Sequence, residues 1–131
     1  MASVFTKIIL GELPSYKIAE DEHFLAFLDV SPLALGHTLV IPKEEIDYIF
    51  NMEDSKLANF HLFSKKVAIA LEKAIPCKRI GIAVIGLEVP HAHIHLIPLQ
   101  DVQDINFSRP KLTFSKEVML ETQLKITQKL R

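Results

Sequence analysis

The segment His91-Ala92-His93-Ile94-His95-Leu96-Ile97 carries three imidazoles in strict alternation with small or apolar residues. Alternation with a period of two is typical of a β-strand, because successive side chains of a strand point to opposite faces of its sheet. The pattern therefore predicts a strand over residues 91–97 with all three histidines on one face. Ala92, Ile94 and Leu96 would point the other way, into a hydrophobic core.

A row of three titratable rings on one face indicates a functional site, either for metal binding or for catalysis. The outer two rings would lie roughly 13 Å apart at about 3.3 Å per residue, whereas a metal ion binds imidazole nitrogens at about 2.0–2.1 Å. Two neighbouring histidines could share one ion with further ligands from elsewhere, but all three could not. Alternatively, His93 is a nucleophile whose ring His91 and His95 orient and supply with protons. The residues alone leave both alternatives open.

Composition favours a single soluble globular domain over residues 1–131. Apolar residues make up 49% of the chain and charged residues 24%, and the net charge is −1. No basic field indicates binding to nucleic acid or to an anionic membrane. The first ten residues do not resemble a signal peptide, and no segment is long enough to span a bilayer. Cys77 is the only cysteine, which excludes an intramolecular disulfide and favours a cytoplasmic location.

Hydrophobic periodicity and turn residues predict an α+β protein with a five-stranded antiparallel sheet. The predicted strands are residues 16–19, 24–28, 38–41, 79–85 and 91–97. The predicted main helices are residues 4–9, capped by Ser3 and ended by Gly11, and residues 53–74. Ser115 could cap a further C-terminal helix, and residues 100–111 are expected to be irregular. We expect a meander whose helices lie on one side.

Three more segments join the histidine row in a family resemblance: Val4-Phe5-Thr6-Lys7-Ile8-Ile9, Phe27-Leu28-Asp29-Val30-Ser31-Pro32 and Gly36-His37-Thr38-Leu39-Val40-Ile41-Pro42-Lys43. With them, residues 4–98 resemble the histidine triad (HIT) superfamily, in particular its Hint branch of nucleotide-binding proteins. The resemblance implies a five-stranded antiparallel sheet with two main helices, and a homodimer with a continuous ten-stranded sheet. It implies hydrolysis at the α-phosphorus of nucleoside monophosphate conjugates, often phosphoramidates. Residues 99–131 would be a variable extension.

The resemblance also assigns roles to residues. His93 would be the nucleophile that forms a covalent nucleotidyl-histidine, while His91 and His95 would hold it and contact phosphate oxygens. His37 would lie behind the triad and steady the first or central ring, and Asp29 would bind the ribose hydroxyls. The expected ligand is a purine nucleoside monophosphate or its conjugate. An apolar clamp for the base would consist of Val4, Phe5, Ile8, Phe27, Leu28, Val30 and Leu39.

The physical chemistry of imidazole is compatible with these roles. A neutral imidazole is a competent nucleophile at pH 7, since its ordinary pKa is about 6.5. Covalent capture divides one difficult transfer into two easier ones. Preorganised donors must stabilise the charge on the phosphate oxygens, and neighbouring imidazoles could do so without lysine or magnesium.

The loop before the triad departs from the family pattern. Residues 83–90 are shorter than usual and lack the customary Asn, and Glu88 stands where relatives carry a Ser that donates to the leaving group and phosphate. By the same resemblance, Gly86 and Glu88 would belong to the nucleotide-binding residues. An ionised Glu88 cannot donate a hydrogen bond and would oppose a phosphate. Glu88 could turn outward, carry protons with a raised pKa, or mark a change of substrate.

Some bacterial relatives bind zinc through two N-terminal cysteines, a histidine after Pro-Lys and the first triad histidine. Here Ser3, Thr6 and Glu45 replace the first three ligands, so no structural metal and no cofactor are expected. Two other hypotheses remain: a purine nucleotide-binding module with little catalysis because of the altered loop, and a histidine metalloprotein to which the fold adds His37.

Overall fold

A computed structural model describes residues 2–130 of the chain. The two terminal positions of the predicted 1–131 domain, residues 1 and 131, lie outside the described residues. In chain order the elements are α1 (Val4–Ile9), β1 (Lys17–Glu20), β2 (Phe24–Leu28), β3 (Thr38–Pro42), a 3-10 turn (Ile49–Asn51), α2 (Asp54–Ala74), β4 (Arg79–Ala83), β5 (Ile94–Leu99), a second 3-10 turn (Val102–Ile105) and α3 (Lys116–Thr127).

The five strands form one antiparallel sheet, which confirms the predicted α+β class. Their order is β1-β2-β3-β5-β4, so the expectation of a plain meander was wrong. The long helix α2 separates β3 from β4 in sequence, and β4 returns at the sheet edge. As a result β5 lies between β3 and β4, where it pairs with both neighbours.

One face of the sheet carries the larger hydrophobic core. Side chains of α2, including Phe60 and Leu71, pack there with Met119 and Ile126 of α3 and with alternate residues of the strands. The predicted C-terminal helix therefore exists and shares the core of the sheet. Ser115 caps it, since its hydroxyl accepts a hydrogen bond from the backbone N–H of Val118 at 3.2 Å.

The short helix α1 lies on the opposite face, which corrects the expectation that all helices share one side. Ser3 caps α1 through a bond from the Thr6 backbone N–H, and Gly11 follows its end with a φ of +79°. Phe5 of α1 packs with alternate residues of β2 and β3, namely Leu25, Phe27, Leu39 and Ile41. This second, smaller cluster lies on the face of the sheet that also carries the histidines.

The last strand begins at Ile94, not at His91 as the alternation predicted. His91 and Ala92 form other backbone bonds: the His91 N–H donates to the Val89 carbonyl, and the Ala92 N–H donates to the Ile46 carbonyl. The first two histidines therefore lie in a bend before the strand. Over residues 2–130, no helix is both long enough and apolar enough to cross a membrane.

Candidate active site

An open cavity of about 580 Å³ lies on the sheet face that α1 partly covers. Leu39 and His95 are paired directly across β3 and β5 and belong to its floor. The cavity is bounded by α1 on one side and by residues 100–112, called the C-terminal arm below, on the other. Its lining consists of Phe5, Asp29, Ser31, His37, Leu39, Ile85, Gly86, Leu87, Glu88, Val89, His93, His95, Phe107 and Lys111.

His93 presents a free lone pair to this cavity. Its Nδ1 lies 2.8 Å from the His91 carbonyl oxygen. A carbonyl can only accept a hydrogen bond, so Nδ1 carries the proton and the neutral ring has an unprotonated Nε2. The ring of Phe5 meets the His93 ring edge-on at 5.0 Å between centroids. The bend before β5 thus fixes the tautomer that a nucleophilic imidazole requires.

His91 is fully buried and does not reach the cavity. Its Nε2 donates to the Pro42 carbonyl at 2.8 Å, and its Nδ1 accepts from the Ser3 hydroxyl at 2.8 Å. Because both ring nitrogens have partners within the protein, His91 has none to offer to a phosphate. The expected contact between His91 and phosphate oxygens is thereby corrected. The residue acts through its carbonyl on His93.

A directional chain of hydrogen bonds runs from the backbone through His37 to His95. The Leu33 N–H donates to Nδ1 of His37 at 3.0 Å, so Nε2 of His37 bears the proton. That Nε2 lies 2.9 Å from Nδ1 of His95 and donates to it. The remaining Nε2 of His95 is consequently protonated in the neutral ring. His37 therefore steadies the third ring of the row, not the first or central ring as expected.

Burial keeps these imidazoles neutral. Desolvation, together with the neighbouring His95, lowers the pKa of His37 to about 3. Desolvation and His93 lower the pKa of His95 to about 4. Burial also lowers the pKa of His91. At neutral pH these three rings consequently carry no positive charge.

Asp29 lies beside His37 in the cavity lining. One carboxylate oxygen accepts from the Ser31 N–H at 2.8 Å, and the other is 3.6 Å from Nε2 of His37. Burial raises the pKa of this carboxyl above its ordinary value, against the opposing effect of the Ser31 bond. Asp29 lines the cavity, where a carboxylate could accept bonds from two vicinal hydroxyls.

The predicted apolar clamp is only partly assembled. Phe5 and Leu39 line the cavity, while Phe27 and Ile8 pack in the cluster just behind them. Leu28 points to the opposite face and belongs to the main core, because it neighbours Phe27 on the same strand. Val4 and Val30 are 43% and 67% exposed and do not line the cavity.

Sequence reasoning missed Phe107 and Lys111, which reach the cavity from the C-terminal arm. The ring of Phe107 meets the His95 ring edge-on at 4.7 Å between centroids. No periodicity marks the arm, and its polar composition predicts only an irregular segment. The only features of the arm that could have indicated a role in the site were Phe107 and Lys111 themselves.

The loop before the triad keeps its two predicted residues at the cavity. Gly86 has a φ of +74°, a conformation that side chains with a Cβ rarely adopt. Glu88 is exposed and lines the cavity as well. Its carboxylate therefore adds negative charge to the rim of the histidine pocket.

Asp29, His37 and His95 form a group whose possible ligand atoms all lie within 4.8 Å of one another. Two nitrogens bound to one tetrahedral zinc would be roughly 3.3 Å apart. Nε2 of His37 and Nδ1 of His95 are closer, at 2.9 Å, and share a proton. The Leu33 bond already commits His37 to donating that proton, so this geometry favours a hydrogen-bond relay over a pair of metal ligands.

Ser3, Thr6 and Glu45 form a hydrogen-bonded cluster beside His91. One Glu45 oxygen accepts from the Ser3 N–H at 2.7 Å and from the Thr6 hydroxyl at 2.6 Å. These bonds lower the pKa of Glu45 to about 2. The Ser3 hydroxyl in turn donates to His91. The cluster ties α1 to the bend before β5 through hydrogen bonds, in addition to the contacts of Phe5 with the rings of His91 and His93.

Two ring nitrogens of the row are thus left for a substrate, and they are complementary. Nε2 of His93 offers a lone pair, and Nε2 of His95 offers a proton for hydrogen bonding. The two ring centroids are 4.9 Å apart. A nucleophile beside a neutral donor is suited to attack on an electrophile that bears oxygen atoms, such as an acyl or phosphoryl group.

Comparison with known proteins identifies the relatives of this chain. The HIT domain family model matches residues 10–102. An uncharacterised HIT-like protein of Borreliella burgdorferi is 39% identical over 132 residues, which cover 95% of each chain. The adenosine 5'-monophosphoramidase of Saccharomyces cerevisiae is 36% identical over 101 residues, which cover 76% of this chain and 64% of the yeast protein.

A solved structure shows the same architecture. The crystal structure of a Hit-like protein from Bartonella henselae, described as involved in cell-cycle regulation and as holding an unknown ligand, superposes with a TM-score of 0.86. It is 29% identical, and the match covers 98% of this chain and 96% of that chain.

Proposed function

This chain belongs to the HIT domain family, and from that premise we propose that it is a hydrolase acting at the α-phosphorus of nucleoside 5'-monophosphate conjugates. The substrates would be phosphoramidates or phosphoanhydrides of a purine nucleotide. The names of the related yeast proteins, adenosine 5'-monophosphoramidase, support the substrate class. The single observation that carries the proposal is a pair of hydrogen bonds, His93 Nδ1 to the His91 carbonyl and His37 Nε2 to His95 Nδ1, which engages Nδ1 of both rings and leaves their Nε2 atoms for a substrate.

In the first step, Nε2 of His93 attacks the α-phosphorus and the bond to the leaving group breaks. The leaving group departs with the bonding electrons and takes one proton from solvent, which the open cavity admits. The product is a nucleotidyl-histidine whose ring is cationic, with Nδ1–H still bonded to the His91 carbonyl. Covalent capture of this kind divides the transfer into two steps.

In the second step, water attacks the same phosphorus, the phosphorus–Nε2 bond breaks, and one proton returns to solvent. His93 regains its lone pair, so the protons of the two steps balance. His95 serves throughout as a neutral hydrogen-bond donor to a phosphate oxygen. Loss of its Nε2 proton would leave an anionic ring, because its Nδ1 is an acceptor, and His95 is therefore assigned no proton transfer.

The other parts of the cavity would bind the nucleoside. Asp29, which lines the cavity, would accept bonds from ribose hydroxyls, while Phe5 and Leu39 would offer an apolar surface for the base. The neighbouring Glu88 favours a second candidate function, a nucleotide-binding module with little turnover. Its carboxylate cannot donate a bond to a leaving group when ionised.

The decisive experiment uses the full-length protein and an adenosine 5'-phosphoramidate of an aromatic amine. The wild type should release the amine and AMP, and quenching with denaturant at alkaline pH during turnover, which preserves the acid-labile phosphorus–nitrogen bond, should yield protein carrying one AMP by mass spectrometry. His93→Ala should lose both the release and the adduct while it still binds AMP. Turnover by His93→Ala would refute the mechanism, and AMP binding by an inactive wild type would establish the binding module instead.

We also propose a homodimer in a reducing cytoplasm, with residues 1–131 as one domain. Strand β4 is an edge strand with an exposed Ile82, and Val84 and Ile85 extend its apolar surface. Exposed Tyr48 and Phe50 lie in the same groove as Val84 and Ile85. Such a patch is suited to burial against a second copy. Light scattering should give twice the chain mass, and Ile82→Glu should shift it toward the monomer.

A further inference from the structure

We propose that Lys111, which the C-terminal arm holds at the cavity, binds the phosphate charge of the substrate and thereby selects nucleotides over nucleosides. This inference rests on the proposed function and assigns its phosphate site a residue from outside the histidine row. It also revises the expectation that the imidazoles serve the phosphate without a lysine.

The arm is anchored so that its lysine faces the site. The Leu112 N–H donates to the Pro32 carbonyl at 2.8 Å, which ties the arm to the loop that follows Asp29. Nζ of Lys111 donates to the Phe107 carbonyl at 3.0 Å and lies 5.8 Å from the centroid of the Phe107 ring. Phe107 in turn contacts His95, so one continuous set of contacts links the ammonium to the donor ring.

Among the residues that line the cavity, a bound anion would find one permanent positive charge. Asp29 and Glu88 are acidic, and Lys111 is the only lysine or arginine among the lining residues. The lowered pKa values of His37 and His95 keep both rings neutral at pH 7. A phosphate that approaches two carboxylates is repelled unless a cation compensates, and Lys111 is placed to supply it.

Lys111 has spare capacity for this task. Among residues 2–130, no carboxylate oxygen lies within the 4.0 Å of its Nζ that an ion pair requires. An ammonium has three N–H donors, and the Phe107 carbonyl accepts from one of them. At least two donors therefore remain for a ligand, while the aromatic ring and the backbone bond limit the motion of the stem.

The test is a calorimetric titration of the full-length protein with AMP and with adenosine at two salt concentrations. Lys111→Met removes the charge and keeps a similar stem, and Lys111→Arg restores the charge. Lys116→Met is the matched control, since Lys116 is exposed and does not line the cavity. Lys111 is exposed, and a solvent-accessible charged contact of this type predicts about threefold to tenfold weaker AMP binding by Lys111→Met.

Adenosine affinity should stay within about twofold in the same variant, since adenosine carries no phosphate. Lys111→Arg should bind AMP nearly as well as the wild type, and Lys111→Met should lose part of the salt dependence. Equal losses for AMP and adenosine would overturn the inference, because Lys111 would then act through Asp29 or the pocket shape. Unchanged AMP binding by Lys111→Met would overturn it as well.

The failure of this inference can be told apart from the failure of the proposed function. Binding of AMP needs no turnover, so a wild type that binds AMP but hydrolyses nothing would refute only the hydrolase. The comparison of Lys111→Met with Lys111→Arg would still decide the role of the lysine. A wild type that binds neither AMP nor adenosine would overturn both.

Discussion

Nε2 of His37 donates a hydrogen bond to Nδ1 of His95 across 2.9 Å, although 58 positions separate the two residues in the chain. The backbone N–H of Leu33 sets the direction of this bond by occupying the other nitrogen of His37. A main-chain group, which cannot titrate at neutral pH, thus determines which nitrogen of a cavity imidazole carries the proton. The tautomer of His95 is therefore determined by the fold.

Replacement of His37 by phenylalanine should therefore impair catalysis more than binding. Phe fills a similar volume but cannot donate, so Nδ1 of His95 loses its partner and the ring can adopt the wrong tautomer. We expect kcat to fall by about tenfold to a hundredfold, with little change in KM. Steady-state kinetics on the AMP phosphoramidate measure this split.

The control for this variant is His23→Phe, at an exposed position outside the cavity. It should leave both kinetic constants unchanged. A large rise in KM for His37→Phe at constant kcat would contradict the orienting role, because it would indicate a damaged binding site.

The buried histidines should make the protein less stable as the pH is lowered below neutrality. The folded pKa values of His37 and His95 are about 3 and about 4, whereas the unfolded chain has the ordinary value of 6.5. Between pH 6.5 and 4 the unfolded state thus binds more protons, so stability rises with pH there and is lost on acidification. Each buried ring contributes a slope of up to about 1.4 kcal/mol per pH unit.

Urea unfolding at several pH values between 7 and 5 would measure this slope. The pKa values of Glu20 and Glu45 are lowered from 4.5 to about 2. These two carboxylates therefore affect the pH dependence of stability mainly below pH 4.5, outside the interval of this measurement. His37→Phe should make the dependence shallower between pH 6.5 and 5. A wild type whose stability is constant over that interval would contradict neutral burial of the rings.

The sequence predicted the sheet well because its strands are short and bounded by turn residues, as at Phe24–Leu28. It also predicted the caps at Ser3 and Ser115, because capping is local. The alternation of residues wrongly predicted strand structure at His91 and His93. Period-two spacing does not reveal whether the backbone N–H and C=O groups bond to a neighbouring strand or to a loop. The Ile46 carbonyl takes the Ala92 N–H, and nothing near residue 92 encodes that partner.

The missing parts of the site share one physical property: they are contacts between residues distant in the chain. Phe107 reaches His95 only because the arm folds back over β5. The residues that form the row could be found from spacing. Their ring partners depend on tertiary packing and could not.

Removal of the Glu88 charge should favour nucleotide binding. Its carboxylate lines the same cavity as the proposed phosphate site, and a nearby negative charge opposes an anion. We expect Glu88→Gln to bind AMP about twofold to fivefold more tightly, with a smaller change for adenosine, because Glu88 is exposed and solvent screens its charge. Glu117→Gln on α3 outside the cavity is the control.

Glu88→Ser separates charge from donor capacity, since it removes the carboxylate and supplies a hydroxyl. It should tighten AMP binding as Glu88→Gln does and additionally raise kcat if leaving-group assistance limits turnover. Weaker AMP binding in both variants would show that Glu88 makes an attractive contact with the ligand and would reject the repulsion argument.

The Ser3 cluster should matter for both stability and the position of the nucleophile. Ser3→Ala removes the cap of α1 and leaves Nδ1 of the fully buried His91 with only the Thr6 hydroxyl nearby, which is 3.4 Å away and already donates to Glu45. Loss of a cap costs about 0.5–2 kcal/mol, and an unsatisfied buried acceptor costs about 1–3 kcal/mol. We expect the free energy of unfolding in urea to fall by about 2 kcal/mol at pH 7.

Ser3→Thr keeps the hydroxyl and should recover most of that loss, which makes it the matched control. Glu45→Gln keeps an acceptor oxygen for Ser3 and Thr6 but removes the charge, so it should destabilise less than Glu45→Ala. Because α1 also carries Phe5 against the His93 ring, Ser3→Ala should lower kcat as well as stability. Equal stability of Ser3→Ala and the wild type would mean that water or the Thr6 hydroxyl replaces the Ser3 hydroxyl at His91, and that α1 needs no bond from Ser3 to hold its position.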